Sequence, residues 1–482
     1  MAVRKAALWS VSGQWLVFAF NFAVSVYLAR YLLPPSAFGT FSVGFAAAGV
    51  ISNLQDFGLS RYLVRSEELT DQVLDTCITI TLCVGAAICA TIACLSVPMA
   101  WYYGNAQLIP IMLLISSAFL LLPFNTVPIA LLQRNVDFRT LAIINMGAAA
   151  ANAIVSMTFA LWGYGPLALA LGFLAQQVAR ATIAQLLGPR KVRFRLSFEG
   201  ARPIVSFGSG TTVLAVSGAI GTRSPDLIIG NVLGMHAVGL FGRAAGMVDG
   251  LRTLLDGGLS SVFFSHFAQL IRSKRTLAQP YLDLIACYTS IMWPAMILLS
   301  LLSTEIVTLI YGQGWGDAAH ALRWVALSEL IFFALPLHTE VPLISGHLRE
   351  LLFRNLLDTA VALICLALLV RFGLEAAAIA RLVYSVFWYA IYIGMMRRIV
   401  GFKGWALTGM YAKSAASTFA ACLPILVLIW KGEVALVQMI AAILLGGVLW
   451  VIALGLLNHP TWRELRRAAD GLKLTFARRS RT

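Results

Sequence analysis

Charge is scarce in this chain of 482 residues. Only 12% of its residues are charged, with 21 acidic side chains against 36 basic ones and six histidines. A water-soluble catalytic domain needs a charged surface and a long polar stretch. The longest cation-bearing linker here, 188–203, is about a quarter of the length of a small domain of roughly 60 residues. Three catalytic signatures are also missing. There is no His-Glu-x-x-His zinc site, no Gly-x-x-x-x-Gly-Lys-Ser/Thr phosphate loop and no Gly-x-Ser-x-Gly nucleophile turn, so zinc hydrolysis, direct use of ATP and serine-hydrolase chemistry have no foothold. Cysteine is sparse as well. Cys77, Cys83, Cys89, Cys94, Cys287, Cys365 and Cys422 all fall in apolar runs without metal-ligand spacing, and they read as small helix-packing residues. No zinc-finger spacing or aromatic-interleaved basic stripe points to a nucleic-acid partner.

What fills the chain instead is apolar sequence. Sixty per cent of the residues are hydrophobic and mean hydropathy is +0.83. Runs of this length cross a hydrocarbon core of roughly 30 Å. The pattern predicts an all-α polytopic membrane protein of about fourteen helices: 8–31, 38–62, 74–100, 107–132, 140–162, 165–187, 204–231, 237–268, 281–310, 318–346, 351–371, 374–396, 405–429 and 434–457. The first is read as an uncleaved span, because it is too long for a signal peptide and has no small-residue cleavage site. The linkers then alternate in charge. One side carries 26 cations, among them Arg134, Arg139, Arg190, Arg272, Arg349 and the C-terminal tail, whereas the other carries Arg30, Arg371 and Lys431. The positive-inside rule places both termini in the cytoplasm, and facing anionic headgroups accounts for the pI of 9.8.

A block repeats without a gap. Leu33, Ala37, Gly39, Phe41, Leu54, Asp56, Gly58, Leu59 and Ser60 recur two hundred residues later at Leu233, Ala237, Gly239, Phe241, Leu254, Asp256, Gly258, Leu259 and Ser260. The repeat restarts after six spans, an even number, so the two halves share one orientation in the membrane and are related by an axis along its normal. This divides the chain into an N-lobe (1–200), a C-lobe (201–402), two additional helices (403–457) and a basic tail (458–482). In the tail, Trp462, Leu465, Ala469, Leu472 and Phe476 recur at helical spacing among cations, the pattern of an interfacial amphipathic helix; a disordered basic tail is the other reading. Spans 4 and 10 each hold two prolines, Pro123/Pro128 and Pro336/Pro342. Proline removes a donor and clashes with the preceding turn, so these segments are expected to kink or unwind, either as cavity-wall hinges or as shaped packing elements.

Several pieces, taken in order, resemble one family. They are Gly13-Gln14, Leu28-Ala29-Arg30-Tyr31-Leu32-Leu33-Pro34, Phe38-Gly39, Asp56-Phe57-Gly58-Leu59, Ala130-Leu131-Leu132-Gln133-Arg134, Asp226-Leu227-Ile228-Ile229-Gly230, Gly239-Leu240-Phe241 and Tyr311-Gly312. The chain is similar to Wzx-type oligosaccharide flippases of the polysaccharide transport family, within the multidrug/oligosaccharidyl-lipid/polysaccharide exporter superfamily. The resemblance implies two six-helix lobes around a central cavity and a multi-pass location in the bacterial inner membrane. It also implies movement of undecaprenyl-diphosphate-linked oligosaccharide units between leaflets for exopolysaccharide, O-antigen or capsule synthesis. A drug or cation antiporter of the same superfamily is the alternative. A membrane glycan polymerase is a third reading, but the outer linkers are short and nearly uncharged. The implied partners are the lipid-linked oligosaccharide, membrane lipids, a polysaccharide polymerase and chain-length or export proteins. No cofactor or metal is implied; transport against a gradient would need coupling, for which H+ and Na+ are the candidates.

A diphosphate must be met by cations inside the bundle, where a charge is costly unless it is paired or wet. Spans 7 and 8 carry Arg223, Arg243 and Arg252. Arg252 has Asp249 and Asp256 at helical spacing, so local pairing competes with substrate contact there. Arg243 has no sequence-local acid and ranks first for the diphosphate, followed by Arg223, Arg252 and Arg30; guanidinium suits phosphate because its planar fork donates twice. Arg180, Arg323 and Arg381 read as snorkelling or structurally paired. The coupling candidates are Glu340, between the prolines of span 10, then Asp56, Glu329 and Glu305; each could instead be a fixed partner of an arginine.

Overall fold

Away from water, a chain can satisfy its backbone N–H and C=O groups internally by forming helices. The computed structural model follows this rule, with helices and no strand among the described residues. The structure describes the backbone of residues 2–55, 63, 70–191, 197–199, 201–273, 275–432, 435–463 and 466, and the side chains of all of these but 2–12, 54, 202–217, 254–266 and 268. Among the described residues, eleven helices are long and apolar enough to cross a membrane, so the protein is an all-α polytopic membrane protein. The other three expected spans fall on α8 (Ala201–Val232), α9 (Met235–Arg272) and the interrupted pair α12 (Asp317–Phe332) and α13 (Glu340–Ile344). Asp56 and most of the expected tail helix lie outside the described residues.

One compact unit comprises Met1–Gly246, Val307–Ala318 and Ala362–Ala377. It therefore contains residues from both sides of residue 201. Its helices include α1 (Ala2–Tyr27), α2 (Pro35–Ser52), α3 (Asp71–Tyr103), α4 (Leu108–Ser117), α5 (Leu122–Arg134), α6 (Phe138–Leu161) and α7 (Pro166–Leu187), with α8, the first part of α9, and the end of α11 (Ser303–Tyr311). Local chemistry sets the boundaries. Pro34 is extended and Pro35 opens α2, where a missing N–H costs nothing. Thr70 accepts from the Val73 N–H at the start of α3, and Asp137 from the Thr140 N–H at 3.1 Å at the start of α6. Buried Ile88, Ile92, Ile111, Met112, Ile115 and Phe119 bind α3 and α4 into a core.

The repeated glycines explain why this unit crosses residue 201. A Cβ added to Gly39 would overlap the Met235 carbonyl, and one added to Gly239 would overlap the Pro35 carbonyl. The N-terminal turns of α2 and α9 therefore meet backbone to backbone, each supplying the glycine that the other requires. The two copies differ just upstream. Leu28–Leu32 form a π-helical turn in which the Leu33 N–H reaches the Leu28 carbonyl at 2.8 Å, while the Leu233 N–H reaches Ile229 in ordinary α register.

The second unit comprises Met247–Ile306, Ala319–Val361 and Ala378–Thr482. It holds the rest of α9, α10 (Ala278–Leu301), α12, α13, the adjoining parts of α14 (Leu348–Leu369) and α15 (Leu374–Val400), α16 (Gly404–Trp430) and α17 (Leu436–Leu456). Here span 10 is broken. After Phe332 the chain leaves the helix, Leu337 adopts φ of 53°, and helix resumes at Glu340. The carbonyls freed around Pro336 are not left bare: Tyr411 donates to Ala334 O and Tyr281 to Pro336 O, both at 2.7 Å, and the Trp293 indole donates to Leu330 O at 2.8 Å. At Pro123 and Pro128 the disturbance is milder. A 3-10 turn at Ala118–Leu121 precedes α5, which then runs through Pro128.

Candidate functional site

In the first unit, Arg243 lies in α9 with its Cζ 4.2 Å from the centre of the Phe38 ring. Its guanidinium donates to Ser25 Oγ of α1, and the Tyr311 hydroxyl lies beside it. No carboxylate forms an ion pair with it among the described residues. The surrounding corner is aromatic: Trp315 packs 5.7 Å from Phe38 and 5.6 Å from Tyr311. Its indole donates at 2.9 Å to Ala29 O, in the π-helical turn of Leu28–Leu32. Such turns free a carbonyl from the α ladder, and here the indole takes it up.

Arg30 belongs to the same corner. Its guanidinium donates to the carbonyls of Leu309 and Ile310, which end α11, so the cation caps a helix C-terminus. Residues 29–35 and 311–315 enclose a cleft of about 380 Å³ whose lining includes the polar side chains of Arg30, Tyr31, Tyr311 and Gln313. Arg223 lies deeper in α8. It stacks on Phe45 at 5.0 Å and covers Gly49, where an added Cβ would come within 3.0 Å of its Nε. Asp226 is three residues further along α8 but closes no ion pair with it.

In the second unit, Arg252 pairs with Glu329 of α12 at 3.3 Å and forms no ion pair with Asp249, while the Asp256 side chain lies outside the described residues. Arg381 of α15 takes the other oxygen of Glu329 at 2.6 Å and also donates to Ser328 Oγ at 3.2 Å. Glu329 is fully buried, whereas the Arg252 side chain is 39% exposed. The two guanidiniums also cover Phe333 and Phe332, at 5.4 and 5.7 Å. Glu340 opens α13 and accepts from Thr339 Oγ1 at 2.8 Å. His338 stands between Trp388 and Tyr392, with ring centres at 4.7 and 5.0 Å. Glu305 occupies the first turn of α11, where an acid complements the helix dipole. Pro123, Pro128, Pro336 and Pro342 are where the sequence puts them, with the backbone leaving the α path next to Pro123 and at Pro336.

Sequence reasoning passed over Asp358 of α14. The residue is 8% exposed, accepts from Tyr384 at 2.6 Å and Tyr392 at 3.5 Å, and forms no ion pair among the described residues. A single acid in the run Leu356–Leu369 was the signal available. No cluster of histidine, cysteine and acidic residues suited to a metal ion occurs among the described residues.

The chain is 23% identical to the lipopolysaccharide biosynthesis protein WzxC of Escherichia coli strain K12 over 68% of its own length and 67% of that protein's. It is 22% identical to the succinoglycan biosynthesis transport protein ExoT of Rhizobium meliloti strain 1021, over 71% and 69%. Its fold matches the lipid II flippase MurJ in an inward closed conformation with a TM-score of 0.72 at 14% identity, covering 95% of this chain and 99% of that one. A MATE transporter of the MOP superfamily in an inward-facing conformation matches at 0.64 and 15% identity, over 79% and 94%. These relatives and structural neighbours are transport and biosynthesis proteins of membranes. Residues 27–320, more than half of the chain, fit the family model described as polysaccharide biosynthesis protein, and the chain belongs to that family.

Proposed function

We propose that the protein carries undecaprenyl-diphosphate-linked oligosaccharide from the cytoplasmic to the outer leaflet of a bacterial inner membrane by alternating access between two repeat-related lobes, 1–200 and 201–402. Both termini face the cytoplasm in this reading. The chemistry demanded is limited. The polyprenyl tail stays in lipid, and the cleft of about 430 Å³ lined by Trp293, Leu330, Phe419 and Leu426 offers it an apolar wall. The diphosphate is the part that hydrocarbon rejects.

The observation that carries the reading is Arg243: a guanidinium in α9, an expected span, held by a hydroxyl and an aromatic face and paired with no carboxylate among the described residues. A buried cation without a counter-ion is costly, and an anionic ligand removes that cost. Arg223, resting on Phe45, is the second contact. Arg252 and Arg30 also belong to the substrate set, but their present partners, Glu329 and the carbonyls ending α11, must be exchanged during the cycle. Coupling to H+ or Na+ is assigned to carboxylates without a fixed cation, Glu340 first and Asp358 beside it. Glu329, clamped by two arginines, suits a structural role better, and Asp56 and Glu305 remain the further candidates. The double-proline segments serve as flexible walls.

Replacing Arg243 with glutamine tests the proposal. Lipid-linked glycan should accumulate on the cytoplasmic side and surface polysaccharide should be lost, while the amount of folded protein in the membrane stays the same. Normal surface polysaccharide in R243Q would remove Arg243 from the mechanism.

A further inference from the structure

Arg180 of α7 makes no hydrogen bond, ion pair or ring contact among the described residues, and its Nε is buried without a partner. Arg323 of α12 also lacks a partner among the described residues, but it is exposed, and Arg223, Arg243, Arg252 and Arg381 are held. Arg252 and Arg381 share Glu329, Arg243 rests on Ser25 and Phe38, and Arg223 rests on Phe45.

At about 100° per residue, Val178 and Thr182 lie about 160° from Arg180 around α7 and Leu186 about 120° away. Those three are exposed, with Val178 at 45% and Leu186 at 69%, and Leu187, the last residue of α7 and about 20° from Arg180, is exposed at 48%. In the turns on either side of it, Arg180 therefore lies opposite the exposed positions of α7, which reach its own stripe only at the helix end. It shares a stripe with Phe173, about 20° away, and Gln176, about 40° away. Phe173 meets the Phe45 ring at 5.4 Å, the same ring that Arg223 covers, and Gln176 accepts from Asn152 of α6 at 3.1 Å. Arg180 is thus about 10 Å along the helix from the level of Arg223, toward the cation-rich linkers.

We propose that Arg180 is a further diphosphate-contact residue, the loading station on the cytoplasmic side of the path that leads to Arg223 and Arg243. The inference rests on the transport reading above. Its physical basis is an orphaned guanidinium donor facing the interior of the unit. A buried donor without an acceptor is unfavourable, and a phosphate oxygen is the acceptor a guanidinium fork fits best.

The test uses the full-length protein in detergent micelles, with undecaprenyl diphosphate as probe and undecaprenol as the uncharged control, read by native mass spectrometry. R180Q should bind the diphosphate lipid about tenfold or more weakly, since it loses a charge-assisted pair of hydrogen bonds, and should bind undecaprenol as the wild type does. R180K keeps the charge and stem but loses the fork. It carries the test if glutamine costs the fold, with an expected weakening of about threefold or more. Diphosphate affinity within twofold of wild type in the folded variants would overturn the role of Arg180. A wild-type protein that does not bind the diphosphate lipid would instead overturn the transport reading.

Discussion

At the residue scale, each charge in the spanning segments is decided by its partner. Glu329 neutralises two arginines from helices 77 and 52 residues away, so glutamine there would leave both guanidiniums without their shared counter-charge. E329Q should lower stability by about 3–5 kcal/mol, seen as a reduced thermal midpoint, and E329Q/R381Q should recover part of it. Asp358 behaves differently because its partners are phenols. D358N should fold, since an amide oxygen can still accept from Tyr384, but glycan export should lose its dependence on the ion gradient. E340Q tests the same property in span 10, and whichever variant keeps gradient dependence loses its coupling role. Arg243 was legible in the sequence because no acid lies one turn away from it. Asp358 was not, because the hydroxyls it uses come from α15, 26 and 34 residues further on.

At the scale of the element, the approach of α2 and α9 makes a sharp contrast. Gly239 has a carbonyl where its Cβ would be, whereas an added Cβ at Gly246, two turns further along α9, meets nothing within 4 Å. G239A should destabilise the protein by about 1–3 kcal/mol through overpacking, and G246A should be neutral or stabilising by about 0.5–1 kcal/mol. Thermal unfolding of the two variants side by side checks this. The break at Pro336 was foreseeable from the residue itself. What keeps it open was not, since the donors to its freed carbonyls, Tyr281 and Tyr411, sit in α10 and α16. Removing the Tyr281 hydroxyl should cost about 1–3 kcal/mol, the penalty of a buried carbonyl left without a donor. The π-helical turn at Leu28–Leu32 left no mark in the sequence, because the aligned residues Ile228–Val232 of the other copy stay in α register.

Across the whole molecule, a buried polar network ties the helices beyond the repeat to the rest of the second unit. His459, just past α17, lies 3.2 Å from Ser414 Oγ of α16 and 3.0 Å from Thr461 Oγ1, which lies 2.9 Å from Ser290 Oγ of α10. The Trp450 indole of α17 donates to Ser290 O at 2.9 Å. Burial, and then the nearby Lys413 charge, push the His459 pKa down to about 4. The folded protein thus holds the ring neutral while an unfolded chain protonates it below about 6.5, so stability should fall as pH drops from about 6.5 toward about 4. In H459N that part of the pH dependence should vanish from thermal unfolding curves. The sequence by itself determined the membrane class, eleven of the fourteen expected spans and the family, because each depends on composition, period and order along the chain. It also determined that Arg243 has no local counter-ion. Only the tertiary structure decided that Gly39 and Gly239 meet, that Arg252 pairs with Glu329, that Arg30 caps a helix and that the Arg180 Nε is buried without a partner. The reason is physical. Helical spacing reveals neighbours within one turn, whereas partners across a bundle depend on packing that no single segment encodes.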